Sequence, residues 1–166
     1  MTSKLFGTDG IRSKFGIEPL TAGFIKLIGY AFAKSMFNNK SGHVYISHDG
    51  RESCDSIEND LVSGISCQGS SYTLLGLLPT PALSAIMYQM KKKDTCAIQI
   101  TASHNQYHDN GLKFFDHCGN KINDTIQHQI EDTVYSESFD IKSVKKHNNI
   151  DNEFSDIYVS FIRDYF

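Results

Sequence analysis

The residues best equipped for chemistry lie between Cys96 and Phe115, in the stretch CAIQITASHNQYHDNGLKFF. Ser103 offers a hydroxyl that can attack or carry a phosphoryl group, and Lys113 offers a point charge to neutralise one. His104 and Asn105 can hydrogen-bond phosphate oxygens. Local sequence brings these groups together. Cys96–Ile100 is a short apolar run with β-branched Ile98 and Ile100, which suits a buried strand. Thr101–Asn105 is small or polar, so the strand ends there. A loop then starts beyond its C-terminal end, where open α/β sheets gather their ligands. Asp109-Asn110-Gly111 predicts a turn, because Asn and Gly tolerate positive φ, and Leu112–Phe115 predicts a strand returning from it. The same side chains also suit a plain polar loop stitched by local side-chain to backbone bonds.

Two other places carry candidate groups. In Leu5–Arg12, LFGTDGIR, two glycines bracket Thr-Asp and imply a tight exposed turn with Arg12 just beyond it. Alone, it reads as a phosphate loop or as a surface turn. His48-Asp49-Gly50-Arg51 follows the predicted strand Val44–Ser47. There an Arg–carboxylate pair could hold the loop, or Arg51 could be presented to an anion.

The positioning elements follow from apolar spacing. Thr21 is a candidate cap for a helix whose buried stripe is Phe24, Leu27, Ile28, Ala31 and Phe32. Ile57, Leu61, Val62 and Ile65 mark a second helix, with Gly69 placed to end it. Tyr72–Leu75 is a further strand. Thr80 as N-cap and Pro81 at the first helical position open a helix lined by Leu83, Ile86, Met87 and Met90. Ile122, Ile126, Ile130 and Val134 build another, capped by Asn123 or Asp124. A polar connection over 136–152, with room for one short strand, leads to an amphipathic helix carrying Phe154, Ile157, Tyr158, Phe161, Ile162 and Tyr165. Strands alternating with helices predict a single three-layer α/β/α domain with a mainly parallel sheet, covered on both faces. Leu112–Phe115, reached by a short turn, is expected to be its antiparallel edge strand.

Composition narrows the partners. A net charge of −3 gives no basic footprint, so nucleic acid is not expected. Nothing approaches the roughly 20 apolar residues that span a bilayer, and MTSKLFGTDG lacks the apolar core of a signal peptide. A cytoplasmic protein without membrane association is the expectation. The four cysteines are dispersed with no C-x-x-C pair, which excludes a zinc ribbon or a disulfide scaffold.

The motifs then meet a known pattern. Thr101-Ala102-Ser103-His104-Asn105 resembles the active-site serine loop of the α-D-phosphohexomutases. Asp109–Phe115 and the opening Phe6-Gly7-Thr8-Asp9-Gly10-Ile11-Arg12 resemble the bacterial phosphoglucosamine mutase branch. The resemblance runs from Leu5 to about the last helix, and corresponds to the first of that family's four domains. It implies that residues 1–166 form domain I, ending in a helix that would lead into domain II. It also implies that Ser103 is a phosphoserine whose phosphate supplies one Mg2+ ligand. Lys113 would neutralise charge or act in acid–base catalysis, and Arg12 would assist proton transfer or transition-state charge. His104 and Asn105 would position the phosphoserine, with Arg51 near the phosphate. The remaining Mg2+ ligands, the sugar-selecting residues and the substrate-phosphate grip would belong to the other domains. Three positions depart from the pattern: Gln106 stands where proline is usual, Ser13 where glycine is common, and His48 where lysine is typical.

The implied activity is interconversion of glucosamine 6-phosphate and glucosamine 1-phosphate by an enzyme of which the 166-residue chain alone would be inactive. The competing reading is a catalytically inactive remnant used for interaction. Its partners would be a second copy, as a homodimer, or the further domains. A Ser-His-Asp hydrolase is disfavoured, since there is no G-x-S-x-G elbow and adjacent Ser103 and His104 cannot readily hydrogen-bond.

Overall fold

The computed structural model describes residues 5–137, 140–147 and 153–165. Its strands are β1 (Ile11–Lys14), β2 (His43–His48), β3 (Ser71–Leu77), β4 (Thr95–Ile100) and β5 (Asp109–Phe115). They form one sheet in the order β1-β5-β4-β2-β3. β3, β2 and β4 run parallel, β5 is antiparallel to β4, and β1 is antiparallel to β5. The helices are α1 (Ala22–Met36), α2 (Cys54–Gln68), α3 (Thr80–Met90), α4 (Asp124–Ser136) and α5 (Glu153–Tyr165).

Alternation along each strand divides the core in two. Ile46, Ile98, Ile100, Leu112 and Phe114 point to one face, where Ile28 and Phe32 of α1, Ile57 and Leu61 of α2, and Ile130 of α4 cover them. Tyr45, Ala97 and Phe115 point to the other, under Leu83, Ile86 and Met87 of α3 and Phe154 and Ile157 of α5. β4 is therefore buried at every residue, as a strand roofed on both sides must be. Each such Leu, Ile or Phe contributes roughly 1.5–3 kcal/mol of burial, which anchors the strand end from which the serine loop departs.

The three-layer α/β/α architecture matches the sequence expectation, including an antiparallel edge, but the edge is β1 and not β5. Leu5–Arg12 hides this strand. Its turn is confined to Gly7–Gly10, where the Gly7 N–H donates to Gly10 O at 2.8 Å, and Arg12 lies within β1. Asp109-Asn110-Gly111 is not a turn either; it starts β5. Asn110 is fully buried, donates to Ser53 Oγ at 2.8 Å and accepts the Gly111 N–H at 2.8 Å, so its polar groups are satisfied in extended backbone. The reversal is made by residues 102–108 instead.

Smaller boundaries moved as well. Thr21 and Asn123 hold the predicted cap positions, and the Asn123 side chain accepts the Ile126 N–H at 3.0 Å. Thr80 lies inside α3, with Pro79 as its N-cap, while Gly69 ends α2 at φ 94° as expected. In the connection expected over 136–152, residues 140–147 are irregular, and residues 138–139 and 148–152 lie outside the described residues. Among the described residues no helix is long and apolar enough to cross a membrane.

Candidate active site

The loop that carries Ser103 leaves the C-terminal end of β4, beside the end of β2. This is where parallel sheets place their chemistry. Ser103 is exposed and has φ 58°, a left-handed conformation that costs a non-glycine residue about 1–2 kcal/mol. Such a conformation persists only where the surroundings enforce it.

The enforcement comes from Arg51. Its side chain is only 11% exposed, and its guanidinium is filled with acceptors. Nε donates to Asp49 Oδ2 at 3.0 Å. Nη2 donates to Ser103 O at 2.9 Å and Asn105 O at 3.2 Å. Nη1 donates to Gln106 O at 2.6 Å, Asp109 O at 3.0 Å and Asn105 O at 3.3 Å. A planar fork of donors suits this convergence of carbonyls, and lysine could not reproduce it. Thr101 closes the circuit. Its hydroxyl donates to Asp49 Oδ2 at 2.7 Å and accepts the Ser103 N–H at 2.9 Å. Of the two sequence readings of Asp49-Gly50-Arg51, the hydrogen bonds describe the clasp. Thr101 escaped the sequence reading, although a hydroxyl two residues before a turn is a recognised local cap for its backbone.

Arg12 and Lys113 sit on the two antiparallel strands beside this region. The β1–β5 register sets Arg12 opposite Gly111, and the β4–β5 register sets Lys113 opposite Gln99. Pairing and alternation put Arg12 and Lys113 on one face, the face of Ala97 and Phe115. Gly111 leaves the space Arg12 needs. A Cβ there would lie 2.5 Å from Ile11 O, 2.8 Å from Thr101 O and 3.0 Å from Arg12 Cγ. The Arg12 guanidinium extends to the serine loop, where Nη1 donates to Asn105 Oδ1 at 3.3 Å. Asn105 in turn donates to Asp109 Oδ2 at 3.1 Å. The structure thus joins Arg12, Arg51, Asn105 and the Ser103 backbone in one hydrogen-bonded group. His104 is exposed on the same loop, and Lys113 is half-buried two residues along β5 from Gly111.

The chemistry available is that of an exposed hydroxyl on a loop that two arginines tie down. Cys54, a thiol beside the clasp, is not a rival nucleophile: burial pushes its pKa up, and thiolate is the reactive form. Among the described residues no group of three or more His, Cys, Asp or Glu side chains could hold a metal ion. These residues therefore do not make up a Mg2+ site by themselves.

Comparison with known proteins places the fold and the sequence in a family. Residues 3–140 match the family model described as phosphoglucomutase/phosphomannomutase, alpha/beta/alpha domain I. The chain is 38% identical over 143 residues to the phosphoglucosamine mutase of Nautilia profundicola, covering 86% of this chain and 32% of that protein. It is 41% identical over 131 residues to the phosphoglucosamine mutase of Nitrosococcus oceani, covering 79% of this chain and 29% of that protein. The crystal structure of a putative phosphomannomutase from Thermus thermophilus superposes with a TM-score of 0.72 at 27% identity, covering 88% of this chain and 33% of that one. The chain thus spans about a third of the length of the relatives it matches. With residues 3–140 matched by that model, the chain belongs to the phosphoglucomutase/phosphomannomutase family, and those residues correspond to its alpha/beta/alpha domain I.

Proposed function

We propose that this chain is the phosphoserine-bearing domain of a phosphoglucosamine mutase-like enzyme that interconverts glucosamine 6-phosphate and glucosamine 1-phosphate. The observation that carries the reading is the exposed, left-handed Ser103, held by its own carbonyl and amide against Arg51 and Thr101, with Arg12 tied to the same loop. Clasping a loop through its backbone leaves the serine side chain open for reaction. Phosphoryl transfer needs positioning and charge stabilisation more than covalent machinery, and this arrangement supplies both.

In the proposed cycle the phosphorylated Ser103 gives its phosphoryl group to a sugar hydroxyl. The bond between Ser103 Oγ and phosphorus breaks as one from the sugar oxygen to phosphorus forms, and the sugar's proton ends on Ser103 Oγ. The resulting bisphosphorylated sugar returns its other phosphoryl group to Ser103 by the reverse step. Lys113 serves as the neutralising charge or proton carrier, and Arg12 offsets charge on the equatorial oxygens. His104 and Asn105 set the orientation. Arg51 acts through the loop backbone and not on phosphate. Sugar selection, the grip on the substrate's own phosphate and the remaining Mg2+ ligands come from outside these residues, in keeping with the third of a relative's length that the chain spans.

Phosphopeptide mapping after incubating the chain, fused to the remaining domains of a phosphoglucosamine mutase, with Mg2+ and a radiolabelled hexose bisphosphate tests this. Label on the Ser103 peptide, with labelling slowed by Arg12→Met and by Lys113→Met, is the expected result. Label on any other side chain, or labelling in both variants as fast as in the wild type, would overturn it. A purely interacting remnant is the second reading. It is favoured by the exposed Val159 and Ile162 on α5, and a monomer without partners in sedimentation would count against it.

A further inference from the structure

Beside the clasp lies a half-open cavity of about 270 Å³ whose lining includes His48, Arg51, Cys54, Asp55, Glu58 and Lys146. Glu58 is its buried acid, with a side chain only 5% exposed. Its Oε2 accepts from Lys146 Nζ at 2.7 Å. Its Oε1 is fully enclosed without a hydrogen-bond partner, 3.9 Å from His48 Nε2. Lys146 also pairs with Asp55. It arrives on segment 140–147, a strap laid across α2. Ile141 is buried, the Val144 N–H donates to Ser63 Oγ at 3.1 Å, and the His147 N–H donates to Tyr72 OH at 3.0 Å.

A buried carboxylate that loses its cation must find another or remain at high cost. If Lys146 is removed, the basic side chains left on this cavity are His48 and Arg51. His48 precedes the clasp, and its Nδ1 accepts the Gly50 N–H at 3.1 Å. Arg51 is the clasp itself. We propose that Glu58 is a latent competitor for the clasp and that Lys146 is a positioning residue for Ser103. By neutralising Glu58, Lys146 leaves Arg51 wholly to Asp49 and the serine loop. Seating of the strap and order of the loop are then linked through one carboxylate. The catalytic consequence rests on the reading of Ser103 given above; the linkage does not.

Amide hydrogen exchange on the full 166-residue chain separates the two. The Ser103, Asn105 and Asp109 amides, bonded to Thr101 Oγ1, Ala102 O and Gln106 O, report on the loop. Lys146→Met should speed their exchange roughly tenfold while β4 amides stay unchanged, the pattern of a local opening. Lys146→Arg should restore protection. So should the double variant Glu58→Gln/Lys146→Met, because it removes the competitor along with its partner. Wild-type loop exchange in Lys146→Met overturns the proposal. A double variant as fast as the single one also overturns it, since loss of the strap would then suffice. If Lys146→Met does not fold, Lys146→Gln removes the charge alone and is read by the same criteria. Failure of Ser103 to take up the phosphoryl group in the domain-completed enzyme would refute the functional reading and leave these rates as predicted.

Discussion

Replacing Arg51 is the sharpest perturbation of the serine loop that leaves every proposed reacting group in place. Arg51 makes six hydrogen bonds, one to Asp49 and the others to the carbonyls of Ser103, Asn105, Gln106 and Asp109. A hydrogen bond to a charged group is worth roughly 1.5–3 kcal/mol, but six on one guanidinium share donors and do not add. Breaking a buried ion pair by removing one partner costs about 3–5 kcal/mol. Asp49 is 24% exposed, so water recovers part of that and the expected loss is on the order of 3 kcal/mol. With a urea slope of about 2 kcal/mol per molar, Arg51→Met should unfold about 1–2 M earlier. Arg51→Lys keeps a charge beside Asp49 but cannot span four carbonyls, so it should recover about half of the shift. Urea unfolding followed by circular dichroism, with proteolysis of the Ser103 loop alongside, measures both. An Arg51→Met chain that unfolds at the wild-type midpoint with an equally resistant loop would refute the clasp as the source of loop order.

Two further outcomes follow from the same geometry. Gly111→Ala should cost roughly 1–3 kcal/mol, because the new Cβ meets the backbone oxygens of Ile11 and Thr101 and also crowds Arg12; thermal unfolding reads the first effect and Ser103 labelling the second. His43 has its ring nitrogens 2.7 Å from Ser71 Oγ and 2.9 Å from Thr73 Oγ1, and burial, with help from Lys92, holds its pKa below the ordinary 6.5. The unfolded chain therefore takes up a proton that folded His43 refuses, so its contribution is complete above about pH 6.5 and is lost as pH falls below it. Urea midpoints across that range should fall less steeply for His43→Gln than for the wild type; parallel slopes would contradict this.

Sequence and structure agree best where one physical signal dominates. The apolar runs of β2 and β4 and the helical stripes of α1, α2, α3 and α4 each have a face to bury, and the period gives it away. The serine loop was legible because a polar run must follow a buried strand. Asp109-Asn110-Gly111 misled because its residue types speak for turns while its tertiary partners, Ser53 and β1, demand extension. β1 itself is four residues long with exposed Arg12 and Lys14, too short and too polar to announce a strand. The clasp was half visible: Asp49 and Arg51 are close in sequence, but the four carbonyls that Arg51 gathers lie more than 50 residues away. Nothing local signals Lys146, whose partners Asp55 and Glu58 become neighbours only once the strap crosses α2.

The claim on which the functional account rests is that Ser103 carries the phosphoryl group. Intact-mass spectrometry of the chain, fused to the remaining domains of a phosphoglucosamine mutase and exposed to Mg2+ and a hexose bisphosphate, before and after phosphatase, tests it most directly. The account predicts a single added phosphoryl group that phosphatase removes and that Ser103→Ala never acquires. An unmodified wild-type chain, or an equal gain in mass by Ser103→Ala, would contradict it.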